Sequence, residues 1–219
     1  ARIVSGSGAS TEQPRSGPRP ARPSTPNWLR FILYTAVVGL AFLAMYAYVS
    51  SAPFVFQQLH GFTPAGYALT GGVISLIMAA VGIVGSRLIG RTTRFGTLTA
   101  QRSINFGLIT LSAGSVFLLV TVFTGAHVVW YILALVVAAA PVALLSGSAT
   151  ALAMDASPLP GGTTSAIIGF TQSILGAAAP PLVGLLGVDA RPMAVVFAAA
   201  SLLALAAGLT ATAIGRRTR

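Results

Sequence analysis

Residues 31–52 read FILYTAVVGLAFLAMYAYVSSA, a run without Arg, Lys, Asp or Glu. A helix rises about 1.5 Å per residue, so ~20 apolar residues cross the ~30 Å hydrocarbon layer of a bilayer. This stretch is long enough to cross, and it opens a longer gap: no charge occurs between Arg30 and Arg87. Three further charge-free gaps follow, at 103–154, 156–188 and 192–215. Length and internal turn signals divide the four gaps into two, two, one and one crossings, expected at 31–52, 68–89, 104–124, 128–150, 166–187 and 193–214.

Composition supports the same class. The chain is 55% hydrophobic and 7% charged, where soluble domains carry about 25% charged residues. Inside lipid every backbone group must be satisfied within the protein, which leaves helices or closed barrels. Long apolar runs, rather than short alternating strands, exclude the barrel. The expected fold is an all-α polytopic membrane protein whose surroundings are the lipid bilayer. It divides into a disordered cytoplasmic tail or linker, 1–27, and a six-helix transmembrane bundle, 28–219. The tail is rich in Ser, Pro, Gly and Arg and has no apolar core, so it is not a signal peptide. A chain that begins with Ala1 rather than Met is expected to continue upstream.

The net charge of +10 invites a nucleic-acid reading, but the location of the charge excludes it. The thirteen basic residues are all Arg, and only Arg191 lies apart from the two tails, Arg30 and the 87–102 connection. That asymmetry follows the positive-inside rule and places both termini in the cytoplasm. The chain contains no cysteine, so disulfides and thiolate chemistry are excluded.

Candidate chemistry is sparse. His60 and His127 fall in short connections without a carboxylate nearby and read as exposed loop residues. Trp130 and Tyr131 read as interfacial belt residues. The acids Glu12, Asp155 and Asp189 lie in the tail or at span ends, so no span carries a coupling carboxylate. Tyr46, Ser50, Pro53, Phe54 and Gln57 recur at helical spacing on one face of the first span. Such a face suits a large, uncharged or weakly cationic amphipathic ligand; ordinary helix packing is the competing reading. Gln172 and Asn105 are polar groups in hydrocarbon, suited to a substrate path or to bonds between helices. Pro53 is expected to end the first span, Pro141 to interrupt the fourth, and Pro180 and Pro181 the fifth.

Small residues recur at Gly71, Ser75 and Ala79 and at Gly169, Ser173 and Ala177, a spacing that lets helix backbones approach closely. Ala68, Gly71, Ser75, Ala79 and Ala80 overlay on Ala166, Gly169, Ser173, Ala177 and Ala178, which hints at a three-plus-three repeat.

The run 46–57, YAYVSSAPFVFQ, resembles the seventh span of the bicyclomycin/chloramphenicol-resistance (Bcr/CflA) drug transporters of the major facilitator superfamily. The run 160–172, PGGTTSAIIGFTQ, resembles that family's approach to its eleventh span. Gly85-Ser86-Arg87-Leu88 through Arg94-Phe95-Gly96 is similar to a degenerate second copy of the superfamily's cytoplasmic loop motif, without its acid. The resemblance implies a twelve-span proton-driven antiporter with two six-span bundles and substrate between them. It implies the C-terminal bundle here, a 3+3 inverted repeat, with spans one, two, four and five lining the path. Substrate-path residues would be Tyr46, Ser50, Pro53, Phe54, Gln57 and Gln172. The implied partners are small amphipathic drug-like substrates and a missing N-terminal six-helix half. No cofactor is implied, the proton being the coupling ion. Two alternatives stay open: a half-size transporter that pairs with a second copy of itself, and a non-transporting membrane scaffold. An enzyme is not expected, because no acid, base and nucleophile set is present.

Overall fold

The computed structural model describes residues 27–59, 61–88, 92–93, 96–97, 99–187 and 189–217. They form α1 (Trp28–Pro53), α2 (Pro64–Leu88), α3 (Ala100–Thr124), α4 (Val128–Ala139), α5 (Val142–Ala156), α6 (Gly161–Leu186) and α7 (Ala190–Arg217). A π-helical turn, Phe54–Leu59, prolongs α1. Between α2 and α3, β1 (Thr92–Thr93) pairs antiparallel with β2 (Gly96–Thr97). The expected tail disorder, His60, and Arg91 and Arg94 lie outside the described residues.

Among the described residues, six helical stretches are long and apolar enough to span a membrane: Trp28–Gln58, Pro64–Arg87, Ala100–Thr124, Val128–Ala156, Gly161–Leu186 and Ala190–Arg216. The chain is an all-α polytopic bundle, with α4 and α5 forming a single crossing. The start of α1, the end of α5 and the close of α7 share one end, called here the terminal end. There Asn27 N–H bonds the Ala156 carbonyl at 3.0 Å, and the Arg30 guanidinium lies against Gly215.

Local chemistry sets the helix ends. The Asn27 side chain accepts from the N–H groups of Leu29 and Arg30 at 3.1 and 3.2 Å, so α1 starts before the charge of Arg30. Thr63 caps α2 through the Gly66 N–H, with Pro64 in the first turn, where a missing N–H costs nothing. Gly125 ends α3 at φ 63°, a left-handed position that glycine adopts without a Cβ clash.

The prolines behave unequally. Pro141 lacks an N–H for the helical ladder and divides the fourth crossing into α4 and α5. Pro180 and Pro181, expected to interrupt the fifth, lie inside an unbroken α6. Pro53 does not end the first span. It cannot bond the carbonyl four residues back, and the chain continues past it in the wider π turn.

Helix α1 is the centre of the bundle and packs extensively on α5, α6 and α7. Its buried Tyr34, Val37, Val38, Ala41, Ala44 and Ala47 meet Leu108, Leu111, Leu145 and Phe197 in one core. The pairing has an internal symmetry. The first span packs on the sixth and fifth, and the fourth packs on the third and second. Exchanging one with four, two with five and three with six maps each pairing onto the other. Three crossings are an odd number, so the second set starts at the opposite end, which makes the repeat inverted.

The small-residue stripes do not make the close approaches expected of them. A Cβ built on Gly71 or Gly169 meets nothing within 4 Å, and Ser75, Ala79, Ser173 and Ala177 are exposed. Other glycines bring the helices together. A Cβ on Gly114 would lie 2.6 Å from the backbone N and Cα of Ala138, and one on Gly39 would lie 2.5 Å from Leu175 Cδ1. In the first span 56% of the apolar stretch is buried, against 11% in the second and 22% in the fifth. Thus α2 and α6 are flanking helices, each with a broad face turned away from the bundle.

Candidate functional site

Two polar seams join helices inside the bundle. Near the terminal end Tyr34 donates to Gln101 Oε1 at 2.7 Å, and Gln101 Nε2 donates to Thr212 Oγ1 at 2.7 Å. Thr212 Oγ1 also lies 3.2 Å from Asn105 Oδ1. Deeper in the α3–α7 contact, the hydroxyls of Ser115 and Ser201 are 2.6 Å apart. Asn105 therefore ties two helices together, the packing alternative of its two readings. Tyr131 is not a belt residue. It is buried, with its ring 5.5 Å from that of Phe56, because α4 turns it into the bundle while exposed Trp130 faces outward.

The polar and aromatic face of α1 lies toward the far end of the bundle. Tyr46, Ser50 and Pro53 are exposed there, and Phe54 and Gln57 are half-buried. Tyr46 covers Gly176 of α6: a Cβ at that glycine would lie 3.2 Å from Tyr46 Cδ2. Phe42 stacks on the other side of the sequence turn, with ring centroids 6.3 Å apart. Gln172, half-buried, sits one helical turn before Gly176, about 6 Å along the axis of α6.

Beyond Tyr46 the ends of α1 and α6 enclose a cleft of about 150 Å³. Ser50, Ser51 and Phe54 line it from α1, Pro180, Val183 and Gly184 from α6, and Gly187 and Asp189 close it. The structure thus brings Ser50 and Phe54 into one cleft and sets Tyr46 over Gly176, one turn beyond Gln172 on α6. Gln57 is not in the cleft lining; it falls on the π turn, whose i→i+5 bonding puts more residues in each turn than the ~3.6 of an α-helix. Pro53 is exposed beside the cleft without lining it. Gly176, Gly184 and Asp189 escape a reading by spacing, because they meet α1 only through tertiary contact.

Among the described residues, no group of His, Asp and Glu is arranged to hold a metal ion. Asp155 and Asp189 both sit at crossing ends. His127 is exposed and caps α4, its Nδ1 facing the Val129 N–H at 3.4 Å.

The model of the Major Facilitator Superfamily matches residues 5–180. The chain belongs to the major facilitator superfamily. Among curated relatives, the protein YdgK of Bacillus subtilis (strain 168), described as an uncharacterized MFS-type transporter, is 29% identical over 190 residues. The match covers 85% of this chain and 45% of that protein, so the chain spans just under half the relative's length. Members of this superfamily are membrane transporters. The six-crossing bundle and its inverted repeat have the architecture of one superfamily half.

Proposed function

We propose that this chain is the C-terminal six-helix half of a proton-coupled multidrug efflux antiporter of the Bcr/CflA type, working by alternating access. It would sit in the plasma (inner) membrane with both termini cytoplasmic, in line with the arginines gathered at the terminal end. The observation that carries the reading is the open polar and aromatic face of α1 and α6. Tyr46, Ser50, Phe54 and Gln172 lie at the edge of the bundle rather than in its core. One bundle supplies one wall, and a substrate path needs a second. The apolar outer faces of α2 and α6, with Leu69, Leu76, Phe170 and Leu185 exposed, flank that wall. They suit contact with an N-terminal half. Small amphipathic drugs would bind between the halves.

Proton coupling would rest on the other half, since the acids described here are at crossing ends. The test is efflux of a fluorescent drug such as ethidium from pump-deficient bacteria. The chain expressed alone is expected to give none, and co-expression with an N-terminal six-span half is expected to restore it. Efflux by the chain alone would overturn the half-transporter reading and favour a pair of identical copies.

A further inference from the structure

The cleft between the outer ends of α1 and α6 has a chemistry of its own. Two of its polar groups, Ser50 and Asp189, present acceptors, and Ser51 adds a hydroxyl that can donate or accept. Ser50 Oγ spends its proton on the Ala47 carbonyl, at 3.2 Å, which leaves its lone pairs as the free part of the hydroxyl. Asp189 brings a carboxylate into the lining. Its Oδ1 accepts the Ala190 N–H at 2.7 Å, and the second oxygen remains. Phe54 adds an aromatic ring, whose face attracts cations.

Arg191, two residues after Asp189, is engaged with an aromatic ring. The Arg191 guanidinium lies over the Phe123 ring of α3, 5.7 Å from its centroid. Arg191 lines a separate, shallow depression of about 340 Å³ that Asp189 also borders, but it is not in the lining of the α1–α6 cleft. Among the described residues no ion pair claims Asp189. The acid therefore offers negative charge to a small pocket that already contains hydroxyls and a ring.

We propose that this cleft is a vestibule site for small organic cations with an apolar body, such as quaternary ammonium groups, with Asp189 as the charge-reading residue. The proposal names a substrate class for the transport reading and rests on it for the site's role in export, though not for binding itself. A volume of about 150 Å³ admits one ammonium head and one ring. The cation would lie between the Asp189 carboxylate and the Phe54 ring, with the Ser50 oxygen as a further acceptor. Exposed charge pairs contribute up to about 1 kcal/mol, which corresponds to roughly fivefold in affinity.

The test is binding of phenyltrimethylammonium to the purified protein in lipid nanodiscs, with the uncharged 2-phenyl-2-propanol as its size-matched control. The cation is expected to bind more tightly than the alcohol, and the difference to shrink at high salt. Asp189→Asn keeps a side-chain oxygen for the Ala190 N–H and removes only the charge. It is expected to weaken the cation roughly fivefold and leave the alcohol unchanged, whereas Asp189→Glu should keep most of the cation affinity. Equal binding of cation and alcohol, or a cation affinity indifferent to Asp189→Asn, would overturn the site and leave the transport reading standing. Cation binding, together with no export even when the chain is co-expressed with an N-terminal six-span half, would support the site and count against the transport reading.

Discussion

At the scale of single residues, glycine separates true helix contacts from open faces. The Gly114 position has no room, since a Cβ there would press on the backbone of Ala138, which cannot rotate away as a side chain could. Gly114→Ala is expected to force α3 from α4 and lower stability by about 1–3 kcal/mol, the usual cost of overpacking. Gly169→Ala adds a methyl into open space and is expected to leave stability unchanged or slightly raised, since alanine suits a helix better than glycine. Unfolding midpoints in mixed detergent and SDS micelles check both. A Gly169→Ala loss as large as that of Gly114→Ala would mean that the stripe of α6 is packed in the isolated protein. Sequence spacing marked Gly169 as a contact and passed over Gly114. Spacing reports that a face is smooth, whereas only the tertiary arrangement decides what lies on it. The same limit hid Asp189, remote in sequence from Ser50 and its neighbour across the cleft.

At the scale of elements, the crossings were legible because lipid imposes a simple rule: no charge for some 20 residues. Their internal breaks were not. Proline removes one hydrogen bond wherever it sits, but the consequence depends on what else holds the helix. In α6 two prolines pass without a break, while Pro53 precedes a π turn. That turn is held from within by Phe56, whose ring is fully buried and lies 5.4, 6.0 and 5.5 Å from the rings of Phe62, Tyr67 and Tyr131. Removing a fully buried aromatic ring costs about 3–5 kcal/mol in soluble cores. Lipid weakens the hydrophobic share of that cost but not the packing share, so Phe56→Ala is expected to cost about 2–3 kcal/mol. It should also loosen the turn that carries Phe54 to the cleft. Hydrogen exchange followed by mass spectrometry checks this: amides of Phe54–Leu59 should exchange faster in the variant while those of α3 hold their rate. Uniform acceleration across the bundle would show that Phe56 supports the whole core rather than this turn.

At the scale of the whole molecule, the inverted repeat was faint in sequence because Ala, Gly and Ser are common throughout, and matches among them carry little information. It is plain in the packing, where first-to-sixth and fourth-to-third contacts mirror each other. The arrangement fixes which loops share an end, and the arginines then give that end a direction. Arg30, Arg102 and Arg216 belong to the terminal end, and Arg191 to the far end. Positive charge near span ends is retained on the cytoplasmic side, so the far end, with the Asp189 cleft, should face outward. The absence of cysteine makes this directly testable with single introduced thiols. His127→Cys places one in the exposed α3–α4 connection at the far end, and Pro158→Cys places one in the exposed α5–α6 connection at the terminal end. A membrane-impermeant maleimide applied to intact cells is expected to label the first and spare the second, which should react only after permeabilisation. The reverse pattern would invert the orientation and put the cation-reading cleft on the cytoplasmic face, where it would serve uptake into the path rather than release from it. Labelling of both thiols in intact cells would mean that the chain inserts in two directions, and that a second copy in the opposite sense is available to complete the path.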